Sequence, residues 1–278
     1  MTNHTTVQRV LNNNVVVANQ FNGEEVILIG KGIGFGKKKG EQIAEGTVEK
    51  VYRLEDASTQ EQYKQLLPQL NEEFIVFMNH IMHHIETRME SKLNEHVHIA
   101  LTDHIAFAVK RLGEGLDFKN PFLLEIQSLY PKEYEVAEEV VRMIDDWLGY
   151  QLPDGEIGFI AIHIHSAITD KKVAEINQNS ELIQQLTTVI EGQLFIQIDR
   201  QSVDYHRLVQ HLRRAIERAH KQEGLGGRNK LDEVLKEEYP LCYNLSWKLI
   251  KIMQQKLQKP VDEAEAIYLT IHLQRLIS

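Results

Sequence analysis

The spacing of hydrophobic residues changes along the chain and separates two kinds of predicted structure. Up to about residue 54, hydrophobic residues form short runs typical of strands: Val7–Leu11, Val15–Ala18, Glu25–Ile29 and Thr47–Leu54. The polar turns at Asn12-Asn13-Asn14 and Asn22-Gly23 favour hairpins between such runs. We therefore predict a small all-β domain with four antiparallel strands. Its thin core should require dimerisation or support from a partner.

Beyond about residue 64, hydrophobic residues recur at spacings of three and four, which is typical of amphipathic helices. The helical runs cover 64–90, 96–112, 133–149 and 157–168, and they continue beyond 172. Pro121, Pro131 and Pro153 separate these runs, and Asp154-Gly155 predicts a turn. The polar stretch Asp56–Gln62 is interpreted as a linker between the β-region and the helices.

The helical part contains an internal repeat. Residues 130–168 align without a gap on residues 239–277, and this alignment places His163 on His272. Hydrophobic positions match where identities fail, for example Phe159 with a tyrosine at position 268. The chain is therefore predicted to carry two copies of a helical domain of about 100 residues.

Upstream of this block, an offset of 102 places His104 on His206 and Arg111 on Arg213. The glycine-rich stretch Gly224–Lys230 would then account for the extra residues of the second copy. The predicted fold is a β-domain followed by two homologous all-α helical bundles, with these boundaries: 1–58, 64–171 and 172–278.

Composition and charge narrow the class of protein. The 278 residues are 42% hydrophobic and 26% charged, as is typical of a soluble globular protein. No apolar run reaches the roughly 20 residues that span a bilayer, and a single cysteine, Cys242, fits a reducing cytoplasm. The net charge of −9 argues against nucleic-acid binding, but residues 1–53 carry seven Lys or Arg against five Asp or Glu. A mildly basic module therefore precedes an acidic body.

The most unusual segment is the glycine-rich stretch 30–39, GKGIGFGKKK. No βαβ unit follows it and the GK[ST] ending is absent, so a dinucleotide or phosphate loop is not indicated. Glycines let the backbone approach phosphate and sugar, lysines neutralise phosphates, and Phe35 offers a ring for base stacking. The asparagines at 12–14 supply donors and acceptors for base edges. The residues leave two interpretations open, a nucleic-acid surface and a plain lysine-rich hairpin loop.

Thirteen histidines raise the alternatives of metal binding and catalysis. His80, His83 and His84 share one face of a predicted helix, but neither a cysteine cluster nor an HExxH motif accompanies them. We therefore predict no metal site and no cofactor. The chain also lacks a Gly-x-Ser-x-Gly motif or another nucleophile signature, so we predict no catalytic residues and no enzyme activity.

The duplicated histidines differ from the others. His163 and His272 occupy corresponding places in mostly apolar helices, and Glu156 and Glu265 precede them by seven residues. A neutral imidazole is a good nucleophile toward phosphoryl donors. These histidines are either core residues inherited by duplication or acceptors of phosphate.

Taken together, these segments resemble the BglG/SacY/LicT family of transcriptional antiterminators along the whole chain. VLNNNVVVANQ and GKGIGFGKKKGE resemble that family's co-antiterminator RNA-binding domain. LTDHIAFAVKR and GEIGFIAIHIHSAI resemble its first phosphotransferase-system regulation domain, and VDYHRLVQHLRRAIER and EAEAIYLTIHLQRL resemble the second. LIGKGIGFGKKKG, NPFLLEIQSLYP and EYPLCYNLSWKLIKI are most similar to glucose-specific members of the family.

The resemblance implies that a dimer of the β-domain binds a partly double-stranded hairpin in a leader mRNA. This hairpin overlaps an intrinsic terminator, so stabilising it permits read-through. Matching motif positions nominate six residues for RNA contact: Arg9, Asn14, Gly30, Lys31, Gly32 and Phe35. Asn14 and Phe35 would recognise unpaired bases, while Lys31 and the backbone at Gly30 and Gly32 would hold the strand. Relatives often have arginine where Lys31 stands, so a bidentate contact there would be reduced to a point charge.

The resemblance also implies control by phosphorylation of a cytoplasmic homodimer without membrane insertion. A sugar-specific enzyme II would phosphorylate His104 and His163 when sugar is scarce and turn the protein off. The phosphocarrier HPr would phosphorylate His206 and His272, and His211 also falls on a recurrent histidine. Each phosphate adds close to two negative charges and can repack a bistable interface.

Three alternatives to a glucose-operon antiterminator stay open. The first is an antiterminator of the same family for a β-glucoside or sucrose operon. The second is a DNA-binding regulator with the same regulatory domains, which is disfavoured because residues 1–54 show no helix-turn-helix pattern. The third is an enzyme that uses the histidines catalytically, but the sequence carries no signature of a substrate pocket.

Overall fold

The computed structural model describes residues 5–21, 23–52, 66, 70–116, 118–224 and 230–278. Several expectations lie outside the described residues: Asn22 of the predicted hairpin, the strand end at Leu54, the linker Asp56–Gln62, the boundaries at 58 and 64, and residues 225–229 of the glycine-rich stretch. Within the described ranges, a β-sheet is followed by α-helices.

One antiparallel sheet occupies the N-terminal region. Its strands within the described ranges are β1 (Thr5–Asn12), β2 (Val15–Asn19), β3 (Glu25–Ile29), β4 (Gln42–Ile43) and β5 (Lys50–Tyr52). Their order across the sheet is β4-β1-β2-β3-β5, and a 3₁₀ turn at Glu45–Thr47 precedes β5. The predicted antiparallel all-β domain is confirmed. The structure adds β4, whose two residues are too short for a hydrophobic pattern to mark.

Both faces of this small sheet are buried. On one face, β2 and β3 residues such as Val17 and Ile27 pack against Ile75 and Ile99 of the helices that follow. On the other face, the alternate residues of the same strands pack with Ile33 of the glycine-rich stretch. This burial explains why β2 and β3 are continuous hydrophobic runs rather than alternating ones. Helices of the same chain therefore add to the thin core of the sheet, and the expected dimerisation stays a prediction.

Helices make up the rest of the described chain: α1 (Glu72–Met89), α2 (Glu95–Gly113), α3 (Leu123–Leu129), α4 (Pro131–Leu148), α5 (Gly155–Thr169), α6 (Val173–Leu194), α7 (Val203–Lys221), α8 (Lys230–Glu238), α9 (Pro240–Leu257) and α10 (Glu265–Leu276). The amide oxygens of Asn71 and Asn94 cap α1 and α2, and the Ser202 hydroxyl caps α7. None of the described helices combines the length and the apolar character needed to cross a bilayer.

The helical repeat predicted from the sequence is confirmed. Helix α9 begins and ends 109 residues after α4, which is the offset of the sequence alignment. Tyr130 donates its backbone N–H to Ile126, and Tyr239 donates to Leu235 in the same way. Each copy therefore enters its central helix through an equivalent tyrosine.

Helix α3 was not predicted, because seven residues between Pro121 and Pro131 are too few to show a helical period. It buries Glu125, Ile126, Ser128 and Leu129. Residues 119–135 belong to a compact unit with 157–162 and 171–278. A second unit holds residues 1–118, 136–156 and 163–170.

Substitution of Gly30 tests the packing around the glycine-rich stretch. A Cβ at Gly30 would lie 1.9 Å from the backbone oxygen of Thr47, which cannot swing away as a flexible side chain can. We expect Gly30→Ala to destabilise the sheet by about 1–3 kcal/mol, measured as faster amide hydrogen exchange in β2 and β3.

Gly46→Ala is the matched control, because a Cβ there meets nothing within 4 Å. Unchanged exchange in Gly30→Ala, or equal acceleration in both variants, would contradict this packing.

Candidate functional site

The glycine-rich stretch folds into consecutive tight turns. The backbone N–H groups of Ile33, Phe35 and Lys37 each donate to the carbonyl three residues earlier, at 3.0–3.1 Å. Gly32 and Gly36 have φ of +71° and +68°, a conformation that favours glycine. The glycines therefore serve the turns themselves and leave room on the outer surface.

The turn at residues 12–14 is hydrogen-bonded to the glycine-rich loop. The Gly32 N–H donates to Asn14 Oδ1 at 2.6 Å, and the Gly30 N–H donates to the Asn14 backbone oxygen at 3.0 Å. The Gly34 N–H donates to the Asn13 oxygen at 2.8 Å. Asn14 itself is only 8% exposed. The structure thus brings Asn14, Gly30 and Gly32 together, and it gives the side-chain oxygen of Asn14 a role inside the fold.

The outer surface of the loop is basic and carries one aromatic ring. Ile33 is 2% exposed and points into the sheet, whereas Phe35, two residues later, is 75% exposed. Lys31 is also exposed, and so is Arg9 on β1. Lys37 donates to the backbone oxygen of Gln42 at 3.0 Å, which ties the lysine run back to β4. An exposed ring flanked by cations suits stacking of an unpaired base and neutralisation of phosphates.

The N-terminal β-region has a second exposed phenylalanine, which no sequence motif marks. Phe21, in the turn region between β2 and β3, is 88% exposed. Exposure alone therefore does not distinguish Phe21 from Phe35. The two residues differ in sequence context, because Phe35 belongs to the lysine-containing glycine-rich stretch and Phe21 does not.

A histidine cluster lies between α2 and α5. His104 Nε2 forms a 3.0 Å hydrogen bond with Glu156 Oε2, and Arg111 hydrogen-bonds the other oxygen of the same carboxylate. The ring centroids of His104 and His163 are 5.0 Å apart. Glu156 is 1% exposed. The two histidines that were predicted to accept phosphate are therefore neighbours, and a buried carboxylate joins His104 to an arginine.

Aromatic rings hold the arginine of this cluster. The guanidinium carbon of Arg111 lies 4.7 Å from the ring centroid of Phe118 and 5.6 Å from that of Phe107. Such contacts add cation–π attraction to the ion pair with Glu156. Arg111 is consequently a link between the histidine cluster and the segment that follows α2.

His163 is neutral in this environment. Burial, followed by the neighbouring His104, lowers the pKa of His163 to about 3. Its Nδ1 is buried and has no hydrogen-bond partner among the described residues. A neutral imidazole keeps one nitrogen lone pair, which is the form that attacks a phosphoryl donor.

The second helical copy contains an equivalent cluster between α7 and α10. His211 Nε2 lies 3.0 Å from Glu265 Oε2, and the His211 and His272 ring centroids are 4.9 Å apart. Arg218 donates through Nε to Glu265 Oε1 at 2.7 Å, and Glu265 is 1% exposed. Burial, followed by His211, lowers the pKa of His272 to about 4. The second cluster is thus His211, Arg218, Glu265 and His272.

This geometry corrects the upstream part of the sequence alignment. The partner of Glu265 is His211, not His206, and the arginine is Arg218, not Arg213. Both histidine–arginine pairs have the seven-residue spacing of His104 and Arg111, so spacing could not choose between them.

The two residues of the rejected alignment lie elsewhere on α7. The ring of His206 is half-buried and neighbours that of Tyr205, at a centroid distance of 6.2 Å. Arg213 donates to the backbone oxygen of Leu129 at 2.9 Å. His206 therefore has a different environment from His104, and its phosphorylation stays a prediction.

Potential metal ligands do not gather in the described part of the chain. No group of three or more histidine, cysteine, aspartate or glutamate side chains there could hold an ion. Of the three histidines on α1, His84 forms a 2.8 Å hydrogen bond with Glu139.

Domain models match most of the chain. The CAT RNA binding domain model matches residues 5–61. The PRD domain model matches twice, over residues 79–167 and 184–276. The glycine-rich loop lies in the first match, and one histidine cluster lies in each of the other two.

Two curated relatives and one solved structure are similar to this chain. The "PtsGHI operon antiterminator" of Bacillus subtilis (strain 168) is 53% identical over 98% of this chain and 96% of its own length. The "GlcA/glcB genes antiterminator" of Staphylococcus carnosus (strain TM300) is 38% identical over 96% of this chain and 94% of its own. The crystal structure of GlcT CAT-PRDI is 54% identical with a TM-score of 0.55, and it covers 59% of this chain and 98% of its own. The chain therefore belongs to the BglG/SacY/LicT family of transcriptional antiterminators, in which a CAT RNA-binding domain precedes PRD domains.

Proposed function

We propose that this chain is an RNA-binding antiterminator that stabilises a leader-RNA hairpin upstream of a glucose phosphotransferase-system gene. The observation that carries the proposal is the exposed Phe35 on a basic loop of hydrogen-bonded turns, within the match to the CAT RNA binding domain. The names of the relatives refer to the PtsGHI operon and to GlcA/glcB genes, which favours a glucose operon over a β-glucoside or sucrose operon. The protein acts as a regulator and not as an enzyme, in the cytoplasm where the nascent transcript is made.

The proposed RNA contacts divide into two groups. Phe35 stacks on an unpaired base, and Arg9 and Lys31 neutralise phosphates. Asn14, Gly30 and Gly32 act mainly by shaping the loop, because Asn14 Oδ1 already accepts the Gly32 N–H. The N–H groups of Gly30 and Gly32 already donate to Asn14, so the backbone there holds the RNA strand only through its other atoms.

The proposed regulators are phosphorylated proteins of the phosphotransferase system. A sugar-specific enzyme II phosphorylates His104 and His163 and turns RNA binding off, and HPr phosphorylates the second regulatory domain. The proposed domains are 1–58, 64–171 and 172–278, and the active form is a homodimer. In the second domain the geometry favours His211 together with His272, and His206 is the alternative acceptor.

The first cluster supports a physical route for inhibition. A phosphate on His104 would place close to two negative charges beside Glu156, a carboxylate that is 1% exposed. Arg111 would then be shared between the phosphate and Glu156. Because Arg111 also stacks on Phe118, a new arginine position would disturb the segment that follows α2.

The RNA-binding surface is tested by comparing Phe35 with Phe21, the two phenylalanines of the N-terminal β-region that are exposed. We expect Phe35→Ala in the full chain to weaken binding to a leader hairpin with internal bulges by roughly tenfold to a hundredfold, the range for loss of one base–aromatic stack. Phe21→Ala removes an equally exposed ring outside the loop and should leave affinity unchanged. The measurement is a fluorescence titration at several salt concentrations, with a fully paired hairpin as the RNA control.

Equal weakening by both substitutions, or equal affinity for bulged and fully paired RNA, would contradict the assignment of this surface.

A charge at the first cluster should mimic inhibition. We expect His104→Asp to lower affinity for the same hairpin, because a second carboxylate beside Glu156 imitates part of the phosphate charge. His96→Asp is the control, since it adds the same charge to an exposed position of the same helix. The proposed role of His104 fails if the two variants bind RNA alike in the titration.

The acceptors of the second domain can be distinguished by transfer of ³²P from phosphorylated HPr. To isolate this domain, His104 and His163 are both replaced by alanine in every protein compared. We expect His211→Ala or His272→Ala to reduce labelling strongly, because these residues form the cluster with Glu265. His206→Ala should leave labelling nearly intact. Loss of label in His206→Ala alone would restore the acceptor that the sequence alignment nominated.

A further inference from the structure

The geometry points to Glu156 as a positioning residue that fixes the tautomer of His104 and so directs the incoming phosphate to Nδ1. This inference rests on the proposed function, in which His104 accepts phosphate. It adds the choice of nitrogen and the residue that makes the choice.

The hydrogen-bond donors and acceptors around Glu156 determine the tautomer of His104. Glu156 Oε1 accepts from Arg111, and Oε2 lies 3.0 Å from His104 Nε2 in hydrogen-bond geometry. A carboxylate bound by a guanidinium has only acceptor capacity left. The ring must therefore donate, so the proton of neutral His104 resides on Nε2. The lone pair of the ring is then on Nδ1.

Phosphoryl transfer from a phosphorylated donor protein balances with this tautomer. The Nδ1 lone pair of His104 attacks phosphorus, the bond between phosphorus and the carrying atom of the donor side chain breaks, and its electron pair returns to that atom. The His104 ring gains a positive charge while the proton stays on Nε2. That charge lies next to Glu156, which stabilises it.

His163 offers the opposite nitrogen. Its Nδ1 is buried without a hydrogen-bond partner among the described residues, so a donor protein cannot reach that atom. Attack from His163 must use Nε2. The two neighbouring rings, 5.0 Å apart, thus present different nitrogens to the phosphoryl donor.

The second cluster supplies an internal comparison. His211 Nε2 and Glu265 Oε2 are also 3.0 Å apart, yet neither atom has a hydrogen-bond partner among the described residues. Arg218 binds Glu265 Oε1 through two nitrogens, at 2.7 Å and 2.6 Å. Glu265 therefore orients His211 less strictly than Glu156 orients His104, and the choice of nitrogen should be weaker there.

The tautomer is measurable without any phosphate. Long-range ¹H–¹⁵N correlation spectra of the full chain, labelled at histidine nitrogens, distinguish a protonated from an unprotonated ring nitrogen. The His104 signals are assigned by their loss in His104→Gln. We expect the Nε2–H tautomer to predominate by about tenfold or more at His104, as for a hydrogen bond to a charged acceptor. A predominant Nδ1–H tautomer in the wild-type chain would overturn the inference, whether or not the protein is ever phosphorylated.

The acceptor nitrogen is measured with potassium phosphoramidate, a small phosphorus–nitrogen donor that needs no protein recognition. Isomer-specific antibodies and mass spectrometry of the labelled peptides distinguish Nδ1- from Nε2-phosphohistidine. We expect Nδ1-phosphohistidine at 104 and Nε2-phosphohistidine at 163. In Glu156→Gln, whose amide can donate or accept, the preference at 104 should fall by about tenfold.

Two variants separate positioning from a merely structural effect. Glu156→Asp retains a carboxylate and should restore part of the preference for Nδ1 at 104, and Glu265→Gln should leave that preference unchanged. Nε2-phosphohistidine at 104 in the wild-type chain would refute the inference. Correct isomers with no labelling by a phosphorylated enzyme II domain would instead refute the proposed regulation and leave the positioning role standing.

Discussion

Each regulatory copy is organised around a carboxylate removed from water. Glu156 and Glu265 are both 1% exposed, and an isolated buried carboxylate is costly. In each copy an arginine and a histidine from one helix lie against a glutamate from another, and the arginine forms an ion pair with it, so α2 is tied to α5 and α7 is tied to α10. A phosphate on the histidine, as proposed, would enter this charge balance directly. The interaction that stabilises the helix pair would then also be the one that responds to phosphorylation.

The RNA domain depends on the same part of the fold. Its sheet is buried on both faces, by Ile33 of the glycine-rich loop on one side and by Ile75 and Ile99 of α1 and α2 on the other. Helix α2 carries Ile99 and, further along, His104 of the first cluster. A rearrangement of α2 would consequently be felt in the core beneath the RNA-binding loop. The packing of α2 would therefore couple the first histidine cluster to the RNA-binding loop.

Much of this arrangement could be predicted from the sequence, and the exceptions have physical reasons. The strands, the helical repeat and the exposed Phe35 follow from hydrophobic spacing and turn composition. Strand β4 and helix α3 were not predicted because they are too short to show a periodic pattern of hydrophobic residues. His211 was misaligned because α7 holds two histidine–arginine pairs with equal spacing, and only the position of Glu265 distinguishes them. The role of Asn14 beneath the loop depends on a contact across 18 residues, which local patterns do not reveal.

We propose that phosphorylation of the first histidine cluster controls RNA-dependent read-through. This control is measured by transcription in vitro on a template with the leader hairpin and its terminator, using the full chain before and after phosphorylation by an enzyme II domain. We expect the unmodified chain to raise read-through and phosphorylation to abolish the increase. A variant lacking His104 and His163 should stay active under the same treatment. Equal read-through before and after confirmed phosphorylation of these histidines would show that the cluster does not control antitermination.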